Sequence, residues 1–269
     1  MELWHALLLG IIQGLTEWLP LSSSGHLAVA QIALGKGSMG FDIVLHLATM
    51  LVVLLYFRGE LSAILREWAA GIAETPRAGR KALVANAHRR LGWYIVLATV
   101  PTALVGYLLS ISLAPIAFSS ALLVGMLFIA TGGFLALTAV RPKDKHPLRA
   151  RISILVGLAQ GIAVLPGLSR SGWTIGTALL AGVRRLDAAR FSFLILFPAV
   201  LGALLLRLGE VVALAAEDLS VLIAGGMAAA FVGYASLSLL MSFLRRGGLH
   251  WFAPYCLLMG CALVACGLL

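Results

Sequence analysis

Charge is scarce in this chain of 269 residues. Asp, Glu, Lys and Arg together make up 12% of it, hydrophobic residues make up 61%, and the mean hydropathy is +1.01. So few charged side chains exclude a soluble globular domain, whose surface carries many more of them. The composition is typical of a polytopic helical membrane protein.

Cysteine is scarce as well. The three cysteines, Cys256, Cys261 and Cys266, lie in a single apolar segment near the C-terminal end. A spacing of five residues spreads them around a helix, which argues against a disulfide framework or a metal site and favours a packing role. The N-terminal sequence MELWHALLLG also lacks a basic stretch, so we expect no cleavable signal peptide.

Acidic residues are few, 11 against 20 basic ones, which gives a net charge of +9. The basic residues lie between apolar segments, so membrane topology explains them better than a nucleic-acid partner does, and we expect no such partner. Seventeen of the 20 fall within 58–90, 141–151, 184–190 and 245–246, whereas the connection 209–218 holds acidic residues and no Lys or Arg. The positive-inside rule places the basic loops in the cytoplasm and the acidic connection outside.

Six apolar segments are long enough to cross a membrane, given about 17–25 residues for each span. The predicted spans are 41–57, 91–111, 115–140, 187–208, 219–243 and 249–269. The intervening stretch 58–90 is predicted to be a basic cytoplasmic loop, and 209–218 a short outer connection.

Two further segments look like copies of each other. They read GIIQGLTEWLPLSSSGH around Gln13 and GLAQGIAVLPGLSRSGW around Gln160, and seven residues coincide at a constant offset of 147 positions. The first copy carries Glu17 and His26 where the second has Val and Trp, and the second carries Arg170 where the first has Ser. One copy therefore supplies an acid and an imidazole, and the other supplies a fixed positive charge.

Each copy is broken by Pro and a Ser/Gly turn into two short apolar arms, 3–19 with 26–35 and 152–165 with 173–182. Such arms predict re-entrant helical hairpins. Three spans separate the copies, so the first hairpin should enter from the outer face and the second from the inner face. The sequence thus predicts one integral membrane domain over 1–269, with all-α architecture: six transmembrane helices plus two re-entrant hairpins in an inverted-topology repeat. Repeat 1 covers about 1–140 with hairpin 3–35, and repeat 2 about 150–269 with hairpin 152–182.

Glu17 is the polar residue that is hardest to explain by structure alone, since an ionisable group in a membrane segment costs about 2.5–3.5 kcal/mol. Gln13 lies one helical turn earlier on the same face, so the two side chains form a small oxygen-rich site. Such a pair can hold a hard divalent cation that is already bound to phosphate. The alternative is that Glu17 forms a structural ion pair with Arg170.

A cradle for an anion is predicted at the break of the first copy, formed by Ser22, Ser23, Ser24, Gly25 and His26. Hydroxyls and free backbone N–H groups at the start of a helix bind anions, and the histidine can act as nucleophile, base or acid. The alternative is an ordinary serine N-cap followed by a histidine that is satisfied within the fold.

The second copy repeats this design. Arg170 offers a planar fork of donors suited to phosphate, and Ser169, Ser171 and Thr174 add hydroxyl donors. The alternative for the arginine is an extension to the membrane interface.

The predicted span 41–57 begins with a further acid and a further imidazole. Asp42 and His46 are one turn apart, and Asp42 could help to bind a metal, orient His26, or act as an interfacial cap.

Acid, serine cradle, histidine and buried arginine together predict phosphoryl chemistry, which needs electrostatic stabilisation of non-bridging oxygens. Because the site lies among membrane segments, the substrate should be a lipid phosphate. The rival class is a transporter that flips such a lipid, since secondary transporters also contain inverted repeats with broken helices.

Four patterns occur in order along the chain: E/Q-xxx-E, P-x-SS-[ST]-GH, F-[DE]-xxx-[HQ] and PG-x-SRS-xxT. Together they resemble the undecaprenyl-diphosphate phosphatases, the bacitracin-resistance family, over essentially the whole chain. The resemblance implies removal of one phosphate from the undecaprenyl diphosphate carrier lipid, which recycles it for cell-wall synthesis and gives bacitracin resistance. It also implies a homodimer in the plasma membrane, an active site open to the outer face, and dependence on Mg²⁺ or Ca²⁺.

Motif by motif, the resemblance also implies residue roles. The acidic pair falls on Gln13 and Glu17, the hydroxyl nucleophile on Ser23, the histidine on His26 and the phosphate-binding arginine on Arg170. Gln13 departs from the commoner Glu, which leaves Glu17 as the main cation ligand or base. Ser23, His26 or a water molecule remain open as the attacking group.

Overall fold

The computed structural model describes residues 2–35, 39–140 and 146–267, and the regular structure within these ranges is helical. The first half contains α1 (Leu3–Thr16), α2 (Ser23–Leu34), α3 (Met39–Tyr56), α4 (Arg58–Ala78), a 3₁₀ turn (Arg80–Val84), α5 (Ala87–Ser112), α6 (Ala114–Phe118), α7 (Ala121–Leu137) and a 3₁₀ turn (Thr138–Val140). The second half contains α8 (Ala150–Ile162), α9 (Arg170–Leu180), α10 (Arg185–Leu194), α11 (Leu196–Leu206), α12 (Leu208–Glu217), α13 (Leu219–Arg246), a 3₁₀ turn (Leu249–Phe252) and α14 (Ala253–Gly267).

Five of the described helical segments are long and apolar enough to cross a membrane: Ala87–Ser112, Ala121–Val140, Arg185–Leu206, Leu219–Arg246 and Leu249–Gly267. A sixth is counted when α3 and α4, which meet at an angle of 78°, are taken as one broken span. The predicted all-α polytopic membrane protein is confirmed. The arms of the two polar copies form the short helices α1 with α2 and α8 with α9, as the hairpin prediction requires.

The expectation of a loop over 58–90 is wrong, because most of this stretch is helical in α4 and the 3₁₀ turn that follows it. Its charges are spaced so that one helix face remains apolar, and Ile64 and Gly71 are buried. Arg89 on α5 fixes α4 through contacts of 3.2 Å to Glu67 and 2.7 Å to Glu74. Clustered charge therefore did not predict irregular structure here, and the cytoplasmic location of this stretch stays a prediction.

Three other boundaries differ from the prediction. The connection 209–218 is largely the helix α12. The predicted span 115–140 is interrupted before α7, whose N-cap Ser120 accepts a hydrogen bond of 3.2 Å from the Leu123 amide. The span 187–208 is divided near Ile195 because Pro198 cannot donate the backbone hydrogen bond that a continuous helix needs.

The order of elements in the first half recurs in the second: a hairpin, a helical segment with breaks, a long helix and a final helix. α1 packs against α13, α8 packs in the same way against α5, and α7 packs against α14. The hairpin of each half therefore lies against the long helix of the other half. These contacts pack the two halves of the chain into one helical bundle.

Glycines allow these close approaches. A Cβ on Gly14 would lie 2.7 Å from the Ala229 carbonyl oxygen of α13, and one on Gly161 would lie 2.8 Å from the Val105 side chain of α5. Gly10 faces the backbone of α13, and Gly157 faces the backbone of α5 at Ala98. The two GxxxG pairs, one in each copy, therefore serve close helix packing.

The tips of the two hairpins are in contact. Ser22 Oγ accepts a hydrogen bond of 3.0 Å from the Gly167 amide, and Ser171 Oγ donates one of 3.2 Å to the Leu19 carbonyl. A Cβ on Gly25 would lie 2.9 Å from the Gly167 amide nitrogen. Contact between the tips places the polar residues of both copies at one point in an otherwise apolar bundle.

The contact between α8 and α5 supplies a test of this packing. Gly157→Leu places a side chain against the Ala98 backbone, whereas Gly133→Leu on α7 enters open space on an exposed face. Overpacking costs about 1–3 kcal/mol or more, so Gly157→Leu should lower the thermal midpoint in detergent and Gly133→Leu should leave it nearly unchanged. Equal midpoints for the two variants would contradict the close approach.

Candidate active site

Glu17 lies at the end of α1 with 4% of its side chain exposed, and four side chains converge on its carboxylate. Arg170 Nη2 lies 2.6 Å from Oε1, and Ser23 Oγ lies 2.6 Å from Oε2. The Gln13 amide nitrogen lies 3.1 Å from Oε2, and His46 Nε2 lies 3.5 Å from it. The site therefore joins α1, α2, α3 and α9 at one buried carboxylate.

The ion pair between the hairpins is present, as the alternative for Glu17 predicts. A buried charge is tolerated only when it is paired and hydrogen-bonded, and Arg170 satisfies that condition for Glu17. An ion pair alone, however, does not require a serine hydroxyl, an amide and an imidazole on the same carboxylate. Their convergence on Glu17 is the arrangement of a reactive group.

Arg170 is the first residue of α9, and 14% of its side chain is exposed. Its guanidinium points into the protein, where Nη1 donates to the Ser192 carbonyl at 3.3 Å. Its central carbon also lies 6.0 Å from the centroid of the Trp18 ring, within range of a cation–π contact. Arg170 is directed at Glu17, and the alternative of an outward extension is wrong.

The three consecutive serines have different surroundings. Ser22 adopts a φ of 65° and caps α2, and its hydroxyl is occupied by the Gly25 and Gly167 amides at 3.3 and 3.0 Å. Ser24 makes no side-chain hydrogen bond to any residue that the structure describes. Of the three, Ser23 donates to a carboxylate, which is the arrangement that activation of a serine nucleophile requires.

His26 does not contact Glu17. Its Nδ1 lies 2.8 Å from the Ser22 carbonyl, and its Nε2 lies 2.6 Å from the Tyr255 hydroxyl. Both ring nitrogens are therefore engaged, as the alternative of a satisfied histidine predicts, and Asp42 is the partner of neither. The imidazole that faces Glu17 is His46.

Asp42 and His46 are linked to each other and to α2. The Asp42 carboxylate accepts a hydrogen bond of 2.6 Å from Gln31 Nε2, and its backbone carbonyl lies 2.7 Å from His46 Nδ1. The Asp42 carbonyl therefore orients the ring of His46, which approaches Glu17. The alternative in which Asp42 orients His26 is wrong.

The hydroxyls of the second copy bind protein groups. Ser169 caps α9 by accepting from the Gly172 amide at 3.1 Å, and Ser171 donates to the Leu19 carbonyl. Thr174 donates to the Arg170 carbonyl at 2.8 Å and lies 2.5 Å from the Ser192 hydroxyl. These residues hold Arg170 in place, and direct contact with a phosphate would first require breaking those bonds.

Several residues of the site carry no sequence motif. Thr49 receives the Gln13 amide at 3.4 Å, Ser192 accepts from Arg170, and Tyr255 binds His26. Thr49 could have been found, because Asp42, His46 and Thr49 form a polar stripe at helical spacing on α3. Ser192 and Tyr255 lie on distant helices, and only the fold brings them near.

The donors available for a cation are few. Among the residues that the structure describes, no group of three or more His, Cys, Asp or Glu side chains could hold a metal ion. Gln13 Oε1, however, is buried and has no hydrogen-bond partner. One carboxylate and one unpaired amide oxygen fit a cation that takes its remaining ligands from a diphosphate and water.

Comparison with known proteins agrees with this geometry. A family model described as bacitracin resistance protein BacA matches residues 6–262, which include every residue of the site. The chain belongs to the BacA family. Its BacA relatives include an undecaprenyl-diphosphatase from Korarchaeum cryptofilum (strain OPF8), which is 40% identical over 98% of this chain and 99% of that protein.

Two further BacA relatives cover the chain to a similar extent. The undecaprenyl-diphosphatase of Syntrophotalea carbinolica is 41% identical over 97% of this chain and 97% of that protein. The undecaprenyl-diphosphatase of Methanobrevibacter smithii is 35% identical over 97% and 96% of the two chains. The family assignment thus applies to both hairpins and to the bundle around them.

Proposed function

We propose that this protein hydrolyses undecaprenyl diphosphate to undecaprenyl phosphate and inorganic phosphate. The observation that carries the proposal is the buried Glu17 carboxylate, which contacts Ser23 and Arg170 where the two hairpin tips meet. BacA relatives that match this chain over nearly their full length are named for this activity. Recycling of the carrier lipid for cell-wall synthesis and resistance to bacitracin follow from the same reaction.

Substrate binding begins at Arg170 in this account. A diphosphate offers the guanidinium more negative charge than one carboxylate does, so the terminal phosphate takes the place of Glu17 as the partner of Arg170. Glu17 is then released from its ion pair while its hydrogen bond to Ser23 is retained. The Glu17 oxygen that faced Arg170 becomes available, and the other oxygen stays in place to accept the serine proton.

Ser23 is the attacking group in our proposal. Its oxygen forms a bond to the terminal phosphorus while the bond from that phosphorus to the bridging oxygen breaks, and the serine proton passes to Glu17. Undecaprenyl phosphate leaves with the bridging oxygen. Water then attacks the phosphoserine and the Ser23–phosphorus bond breaks, which releases inorganic phosphate. The proton held by Glu17 returns to the Ser23 oxygen and restores both groups.

We also propose that Glu17 and Gln13 hold Mg²⁺ or Ca²⁺ together with the diphosphate. Rotation of the Gln13 amide would turn its unpaired oxygen toward Glu17. When bound, the cation would neutralise charge on the phosphate oxygens and the leaving group.

The location of the site follows from the charges of the connections. The multi-pass chain is proposed to lie in the plasma membrane, with the basic segments in the cytoplasm and the active site open to the outer face. The family resemblance further leads us to propose a homodimer, in which each copy carries its own two hairpins.

The activity is tested by phosphate release from undecaprenyl or farnesyl diphosphate by the purified protein in detergent. Ser23→Ala should lower kcat by at least about 100-fold because, among the residues that the structure describes, no other hydroxyl contacts Glu17. Ser238→Ala is the matched control and should keep wild-type turnover, because this half-buried serine on α13 donates to the Tyr234 carbonyl of its own helix. Near-normal hydrolysis by Ser23→Ala would exclude the covalent route, and absence of phosphate release from the wild type would favour a transporter.

Cation dependence is tested in the same assay. EDTA should abolish turnover, and added Mg²⁺ or Ca²⁺ should restore it. Gln13→Ala should raise the cation concentration needed for half-maximal activity by about 10-fold, in line with the loss of one ligand. Full activity in EDTA, or an unchanged cation requirement in Gln13→Ala, would contradict the assignment of Gln13.

A further inference from the structure

The hydrogen bonds of His26 define its tautomer. Nδ1 lies 2.8 Å from the Ser22 carbonyl, and a carbonyl oxygen can only accept, so Nδ1 carries the proton. In a neutral ring Nε2 is then an acceptor, and the Tyr255 hydroxyl at 2.6 Å donates to it. The phenol is thus the group that completes the hydrogen bonding of His26.

Ring contacts hold the same orientation. The Tyr255 ring is stacked on the imidazole with centroids 5.7 Å apart and an angle of 13° between the planes. Phe128 of α7 contacts the imidazole edge-on at 5.3 Å. Rotation of the imidazole about its long axis is therefore resisted on two sides.

Tyr255 itself is held close to the first hairpin. Its neighbour Cys256 is buried, and the Cys256 thiol lies 3.4 Å from the Pro20 carbonyl at the hairpin tip. Gly125 of α7 and Gly260 of α14 let these two helices approach backbone to backbone. The tyrosine side chain is nevertheless 44% exposed, so its hydroxyl lies at the edge of the site.

We propose that Tyr255 is a positioning residue of the active site, which keeps His26 as the Nδ1–H tautomer with Nε2 held at the edge of the hairpin. The inference rests on the proposed phosphatase activity and extends it to His26, to which the Ser23–Glu17 route assigns no bond-making step. Tyr255 acts through His26 and takes no part in the bonds that form or break. Its contribution should therefore appear in kcat and depend on the presence of the histidine.

Tyr255→Phe is the informative variant, because it removes the hydroxyl and keeps the ring that stacks on His26. It should lower kcat for phosphate release by about 10-fold to 100-fold, leave KM within about twofold, and leave the thermal midpoint unchanged. The same substitution in a His26→Gln background should cause no further loss. Tyr107→Phe, an exposed tyrosine on α5, is the control.

A second measurement is independent of turnover. Nitrogen-15 NMR of histidine-labelled protein in detergent, with the His26 signals assigned from their loss in His26→Gln, should show Nδ1 protonated and Nε2 unprotonated. In Tyr255→Phe the Nε2 signal should shift as its hydrogen bond is lost. An unchanged Nε2 signal would overturn the proposal whether or not the protein hydrolyses diphosphates.

The kinetic outcomes are equally decisive. Wild-type kcat in Tyr255→Phe, or an equal loss with and without His26, would overturn a positioning role through His26. A normal kcat in His26→Gln would show instead that His26 takes no part in the reaction, and it would overturn the proposal while leaving Ser23 and Glu17 untouched.

Discussion

The contact between Glu17 and Arg170 joins the two hairpins, and the organisation of the site depends on it. Each charge alone would be costly at its buried position among apolar helices, and their separation of 2.6 Å offsets that cost. In the proposed reaction the pair is also the part of the site that a diphosphate exchanges. Phosphate would replace the carboxylate on Arg170, and the released carboxylate already accepts a hydrogen bond from Ser23. One interaction would thus stabilise the resting protein and prepare the reaction that we propose.

The internal repeat explains how such a pair can form. Equivalent residues serve the same structural purpose in both copies: Ser22 and Ser169 each cap a helix, and the Gln13 and Gln160 amides each donate to a threonine at 3.4 Å. The repeat therefore builds two similar hairpins whose tips meet. The chemistry comes from positions where the copies differ, because Glu17 in one and Arg170 in the other have no counterpart.

Sequence reasoning was sufficient for the parts of the fold with a local signal. Short apolar arms around Ser/Gly breaks predicted both hairpins, and unlike charges in the paired copies offered the Glu17–Arg170 contact as the alternative to a cation site. It failed at α4, because a surface helix with mixed charges resembles a loop when only charge is counted. It also allowed Asp42 to orient His26. The spacing of residues along the chain does not show that His26 finds its partners elsewhere, in Ser22 and Tyr255. Tyr255 was missed because its contact with His26 spans 229 residues and has no local pattern.

The central claim is that substrate phosphate displaces Glu17 from Arg170 and leaves Ser23 hydrogen-bonded to the carboxylate. An experimental structure with a non-hydrolysable undecaprenyl or farnesyl diphosphate analogue tests it most directly. We predict that the guanidinium contacts the terminal phosphate, that it is no longer paired with Glu17, and that the Ser23–Glu17 hydrogen bond persists. A bound analogue with Arg170 still paired to Glu17, or with its phosphates remote from Ser23, would contradict the account.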